Sequence, residues 1–177
     1  MRRLTAAFLF ISLIALCACK RSPEKVLLRA TTEETAPPLA TVVHTADPQA
    51  SAQLIAGFYD VEQNSWRWTR RKFAVNLRSP VDSNRNGATL VLKFVIPDPV
   101  IARLKTVTLS ASVAGFALAP ETYTASGSQT YSREVPGKAL TTGAVKVEFA
   151  LDKALPPGPS EQRELGVVAN SIALEPK

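Results

Sequence analysis

The chain has 177 residues, 21 of them Lys or Arg against 15 Asp or Glu, for a formal net charge of +6, with a single histidine and two cysteines. One histidine excludes a multi-histidine metal site and argues against a Ser-His-Asp triad. The sequence carries no Walker-type glycine loop and no dinucleotide fingerprint either.

The first element is an apolar run from Leu4 to Leu16, preceded by Arg2-Arg3. It is shorter than the ~20 apolar residues of a membrane-spanning helix, and a basic start followed by such a run describes an export signal. The run ends in Leu16-Cys17-Ala18-Cys19. This tetrad resembles the lipobox of bacterial lipoproteins, with Leu at the third position before the cut and a small residue immediately before the cysteine. Cutting before Cys17 would place bulky Leu16 where a small residue is wanted, so Cys19 is the better acceptor. The resemblance implies a signal peptide over 1–18 and a mature N-terminus at Cys19. That cysteine would carry thioether-linked diacylglycerol, usually with a third acyl chain on its amine. Two or three chains anchor stably where one does not. The residues alone also admit an ordinary cleaved signal ending near Ala18, or an uncleaved anchor.

In bacteria with two membranes an Asp after the lipidated cysteine commonly retains a lipoprotein in the inner membrane, so Lys20 favours the outer one. Removing 1–18 leaves Cys19 as the only thiol, so no intramolecular disulfide and no Cys-based metal site is expected. It also lowers the formal charge from +6 to +4 by removing Arg2 and Arg3. Export takes nucleic acid out of reach despite the basic balance.

Residues 19–51 are rich in Thr, Pro and Ala without a sustained apolar period, which predicts an extended, semi-rigid tether. Within it, Leu39 to His44 has the pattern of an edge strand, and Pro37-Pro38 opposes a helix. From there the period is two. Phe73, Val75 and Leu77 share one face; so do Leu90, Leu92, Phe94 and Ile96, with Val91, Lys93 and Val95 opposite. Val107, Leu109, Ala111 and Val113, then Val145, Val147, Phe149 and Leu151, repeat the alternation. Such runs are half-buried antiparallel strands. Breakers such as Ser79-Pro80, Pro97-Asp98-Pro99, Gly115, Pro136-Gly137 and Pro156-Pro157-Gly158-Pro159 separate them. The spacing predicts strands near 54–60, 66–78, 88–96, 104–113, 116–124, 128–135, 143–151 and 164–175, with one helical turn over Pro99–Lys105. The expected fold is all-β: an antiparallel, jelly-roll-like β-sandwich of about eight strands, occupying 52–177.

Three segments carry a second resemblance. Gly57-Phe58-Tyr59-Asp60-Val61-Glu62 with Ser65-Trp66-Arg67-Trp68-Thr69 is similar to a Gly-aromatic-Tyr, Glu, Arg-Trp opening. Leu90-Val91-Leu92 through Pro97, with the strand Val107–Val113, forms the middle. Arg163-Glu164-Leu165-Gly166-Val167-Val168, with Ile172 and Leu174, is similar to an Asp-x-Arg-x-Leu-Gly ending, Glu161 standing where that pattern has Asp. Together they resemble a β-sandwich domain of uncharacterised bacterial envelope proteins, also appended to some glycosyltransferases. Within it, Arg67 and Arg163 have Glu62 and Glu161 as expected bidentate partners. Gly57 and Gly166 suit a bulge or a close backbone approach.

Trp66 and Trp68 fall on one face of a strand. One reading is a stacking platform for a sugar ring, with Tyr59 as a third wall and Arg67 or Arg70 hydrogen-bonding hydroxyls. The other is core packing, since Trp is highly buried on average. Arg67, Arg70, Arg71 and Lys72, with Arg78 and Arg85, suit either an anionic partner or a charge-protected strand edge. Glu121, Glu134, Glu148 and Asp152 are the carboxylates available to a glycosidase, but their context is that of solvated surface charge. No catalytic residue, metal or cofactor is expected. The expected function is that of a non-catalytic envelope lipoprotein binding a cell-envelope glycan or an exported partner. A structural or assembly subunit is the alternative, and a carboxylate-dependent glycan-active enzyme a weaker one.

Overall fold

The computed structural model describes residues 38–177. The expected signal peptide, the lipid-bearing Cys19 and most of the tether lie outside the described residues. Among the described residues, nine strands form the fold: β1 (Val42–His44), β2 (Leu54–Phe58), β3 (Arg67–Arg78), β4 (Ala88–Ile96), β5 (Val107–Val113), β6 (Phe116–Tyr123), β7 (Gly127–Val135), β8 (Ala144–Leu151) and β9 (Val168–Pro176). Two short helices, α1 (Ser83–Asn86) and α2 (Asp98–Leu104), interrupt them.

All pairings are antiparallel. One sheet runs β1-β9-β4-β7 and the other β2-β3-β8-β5-β6. Strand β3 joins them, because Arg67 and Trp68 pair with β9 whereas Lys72 to Arg78 pair with β8. With β2 set aside, the two orders β1-β9-β4-β7 and β3-β8-β5-β6 are those of a jelly roll.

The alternating apolar residues fill the space between the sheets. Phe73, Val75, Leu77, Leu90, Leu92, Phe94, Ile96, Leu109, Val113, Val147 and Phe149 are all buried. Phe73 stacks on Phe149 with ring centroids 4.8 Å apart and takes the edge of Phe58 at 5.5 Å. Such aromatic pairs add about 0.5–1.5 kcal/mol beyond the area they bury.

The expected strands near 104–113 and 164–175 begin later than their sequence suggests. Pro97-Asp98-Pro99 starts α2, which begins one residue before the expected Pro99 and carries Leu104 in its last turn. Lys105, at φ +67°, then turns the chain into β5. Residues 164–167 are apolar enough for a strand, but their backbone is used elsewhere. Leu165 bridges to Leu155, and the Gly166 N–H donates to the Thr69 carbonyl. A Cβ at Gly166 would meet the Arg70 carbonyl oxygen and Thr69 Oγ1 at 2.8 Å. Gly57, at φ +78°, lies at the bulge of β2, where a Cβ would fall on the Lys72 carbonyl oxygen. Both glycines therefore sit at close backbone approaches.

Residues 38–51, assigned to the tether by composition, are part of this compact unit. β1 lies in register against β9, Val43 and Ala50 are buried, and Thr45 has no exposed surface.

Candidate functional site

The residues Glu62 to Trp66 form a tight hairpin. The Glu62 N–H donates to the Trp66 carbonyl at 2.9 Å, and Gln63 and Asn64 both adopt positive φ, 50° and 54°. Two consecutive left-handed residues give the primed turn that matches strand twist. The turn sets Glu62 opposite Trp66, and alternation brings Trp68 to the same side. There Trp68 pairs with Val168 of β9, which pairs in turn with Val95 of β4. These three stand abreast on the outer face of the first sheet, since their neighbours Phe94 and Ala169 are buried inside.

The result is an open, largely apolar cleft of about 500 Å³. Trp66, Trp68, Val95, Val168 and Pro97 supply its apolar surface, and Glu62, Ser65 and Asn170 its polar groups. Trp68 also packs against the core, which is the packing reading of the pair.

Asn170 reaches the cleft through a bulge. Lys93 pairs with Ser171 and Phe94 with Ala169, leaving Asn170 as the extra residue of β9. Bulges re-aim side chains in this way. Buried Thr45 holds this one in place: its hydroxyl donates to the Ala169 carbonyl at 2.6 Å, and its N–H to the Asn170 carbonyl at 2.9 Å.

Arg67 does not line the cleft. Its guanidinium donates to the Thr45 carbonyl at 2.6 Å, the Tyr59 carbonyl at 3.0 Å and Ser51 Oγ at 3.2 Å, so it ties β1 and the chain after β2 to β3. Nor does it pair with Glu62 or Glu161; Arg163 does. Arg163 grips Glu161 bidentately, Nε to Oε1 at 3.0 Å and Nη2 to Oε2 at 2.8 Å, and reaches Glu62 Oε1 at 2.6 Å. The hydrogen bonds from Arg163 hold the Glu161 carboxyl down to about 2, and both carboxylates raise the guanidinium in return. The clasp thereby orients Glu62 on the rim of the cleft.

Tyr59 and Arg70 lie outside the cleft as well. The Tyr59 ring has the Arg70 and Arg163 guanidinium carbons 5.2 and 5.1 Å from its centroid, and its hydroxyl donates to the Glu164 carbonyl at 2.9 Å. The basic run of β3 is thus divided among jobs. Arg71 Nε donates to the Leu151 carbonyl, while Lys72 and Arg78 are exposed on the second sheet.

Each carboxylate considered for glycosidase chemistry has a local partner. Glu121 meets Arg133 at 2.8 Å, Glu134 meets Lys177 at 2.9 Å, Glu148 meets Lys146 at 2.6 Å, and Asp152 accepts from the Thr108 N–H at 2.7 Å. Among the described residues no group of three or more His, Cys, Asp or Glu side chains gathers to hold a metal ion.

Sequence reasoning did not identify Glu62, Ser65, Val95, Pro97, Val168 or Asn170 as site residues. One signal was available. The run Leu90–Ile96 is apolar on its outward face too, at Val91 and Val95, which a solvated sheet face does not need.

The sequence matches no protein-family model and no curated protein. Several solved structures are similar in architecture. The CBM36-1 domain of a multidomain xylanase from the hindgut metagenome of Trinervitermes trinervoides has 12% identity and a TM-score of 0.41, over 75% of this chain and 95% of that one. An exo-beta-1,3-galactanase from Phanerochaete chrysosporium has 12% identity and a TM-score of 0.40, over 77% of this chain and 29% of that one. The CBM51-2 and INT domains of Clostridium perfringens ZmpB have 10% identity and a TM-score of 0.36, over 77% and 28%.

Proposed function

We propose that this chain is an envelope lipoprotein, attached to a membrane through lipid on Cys19, whose β-sandwich is a non-catalytic binding module for a cell-envelope glycan. The observation that carries the binding half is the cleft. Two tryptophans line it with Val95, Val168 and Pro97, and a carboxylate, a hydroxyl and an amide line the same space of about 500 Å³. Apolar C–H faces of a pyranose suit such a floor, and its hydroxyls suit the polar rim; a concave apolar site with few placed polar groups is the usual form of a ligand pocket. The lipobox-like tetrad and Lys20 support the attachment half, with the outer membrane favoured where there are two membranes. The β-sandwich of envelope proteins that the motifs resemble fits the same setting.

Trp66→Ala is the cleaner test, because Trp66 is not among the side chains packed on the core. Titration of the protein with fractionated cell-envelope polysaccharide, followed by tryptophan fluorescence, should show binding that weakens by about tenfold or more in the variant. Circular dichroism and melting temperature should stay near wild type. Unchanged affinity in a folded Trp66→Ala variant would remove the cleft from binding.

A further inference from the structure

Beside the cleft, the outer face of the first sheet carries a second row of side chains, and its register is fixed. His44 of β1 pairs with Ser171 of β9, Ser171 with Lys93 of β4, and Lys93 with Thr130 of β7. All four point outward, because Val43, Ile172, Leu92, Phe94 and Tyr131 next to them are buried in the core. This row lies one pleat, about 7 Å, from the Trp68–Val168–Val95 row, and its members are spaced about 4.8 Å apart across the strands. Lys93 is exposed at its centre and makes no ion pair among the described residues, whereas Lys146, Lys153 and Lys177 each have a carboxylate partner. Glu62, the carboxylate at the cleft, is on the rim at the hairpin and already held by Arg163. Ser171, Thr130 and Asn170 add short polar groups that leave the face flat.

We infer that the row His44–Ser171–Lys93–Thr130 is an anion subsite continuous with the tryptophan cleft, and that the ligand is an acidic glycan bearing a carboxylate on the residue next to the one stacked on tryptophan. This rests on the cleft being the binding site. A single ammonium flanked by hydroxyls suits a monoanion. A phosphate is more often met by arginine forks, and this row has none. Charge placement also orients the chain of sugars: the neutral ring takes the Glu62 end, where a carboxylate would be repelled, and the acidic one takes the Lys93 end.

The experiment uses the full chain and two matched probes, an oligouronide and the same oligosaccharide with its carboxyls reduced to alcohols, each titrated by calorimetry. Wild type should bind the oligouronide about fivefold more tightly than the reduced form, the scale of one partly exposed ion pair. The preference should shrink with added salt. Lys93→Gln, at an exposed position with no internal partner, should bind both probes equally and at the level of the reduced form, while Trp66→Ala should weaken both. Equal binding of the two probes by wild type, or an unchanged preference in Lys93→Gln, overturns the subsite and leaves the cleft standing. Binding of both probes that is insensitive to Trp66→Ala overturns the cleft, and binding of neither probe overturns both.

Discussion

Two arginines with the same expected carboxylate partners end in different roles, and the difference is geometric. Arg67 faces backbone carbonyls of the chain just after β1 and just after β2, so its fork is consumed in holding the fold together. Arg163 meets two carboxylates and becomes the centre of a clasp. The clasp gives a pH prediction. Glu161 is held at about 2 against an ordinary value of 4.5, so the folded state binds this proton more weakly than the unfolded chain. Its stabilising effect is complete above 4.5 and is lost as pH falls through about 2. Melting curves should place Glu161→Gln slightly below wild type near neutral pH, with the gap closing over that acid window. The gap stays small because the pair is partly solvent-exposed and screened. A gap that persists at the acid end would assign the effect to something other than the ion pair.

At the scale of elements, most of the architecture was legible because the main strands each bury one face. Phe73-Val75-Leu77, Leu90 to Ile96, Val107 to Val113 and Val145 to Leu151 state that pattern in their own residues. Removing a centre of it should be costly: Phe73→Ala is expected to lose about 3–5 kcal/mol in denaturant unfolding, since the ring fills the layer between Phe58 and Phe149.

What composition hid was structure supported from a distance. β1 falls within the edge-strand pattern of Leu39 to His44, but nothing local in this Thr- and Pro-rich stretch marks Thr45 as buried. Its two partners lie 124 and 125 residues away. The bulge at Asn170 was equally invisible, because it is a mismatch between two strands rather than a property of either. Thr45→Val keeps the shape and removes the hydroxyl, so it should destabilise the domain by about 1–3 kcal/mol. It should also weaken glycan binding through Asn170, whereas a purely structural hydroxyl would leave the affinity of the folded fraction unchanged.

For the whole molecule, a thiol and a cleft stand at opposite ends of the proposed role. Cys19 would fix where the domain works, and the β-sandwich what it holds there. Cys19→Ala should block labelling with a fatty-acid probe and shift the protein from the membrane to the soluble fraction; continued labelling would contradict the assignment. On the proposed reading the outer face of the first sheet binds sugar. With two tryptophans in the chain, both lining the cleft, an amide and indole NMR spectrum carries two indole N–H signals. Titration with cell-envelope oligosaccharide should move both signals, together with the amides of Val95, Val168 and Asn170, while signals from the second sheet stay in place. Binding that leaves both indole signals unmoved would contradict the account.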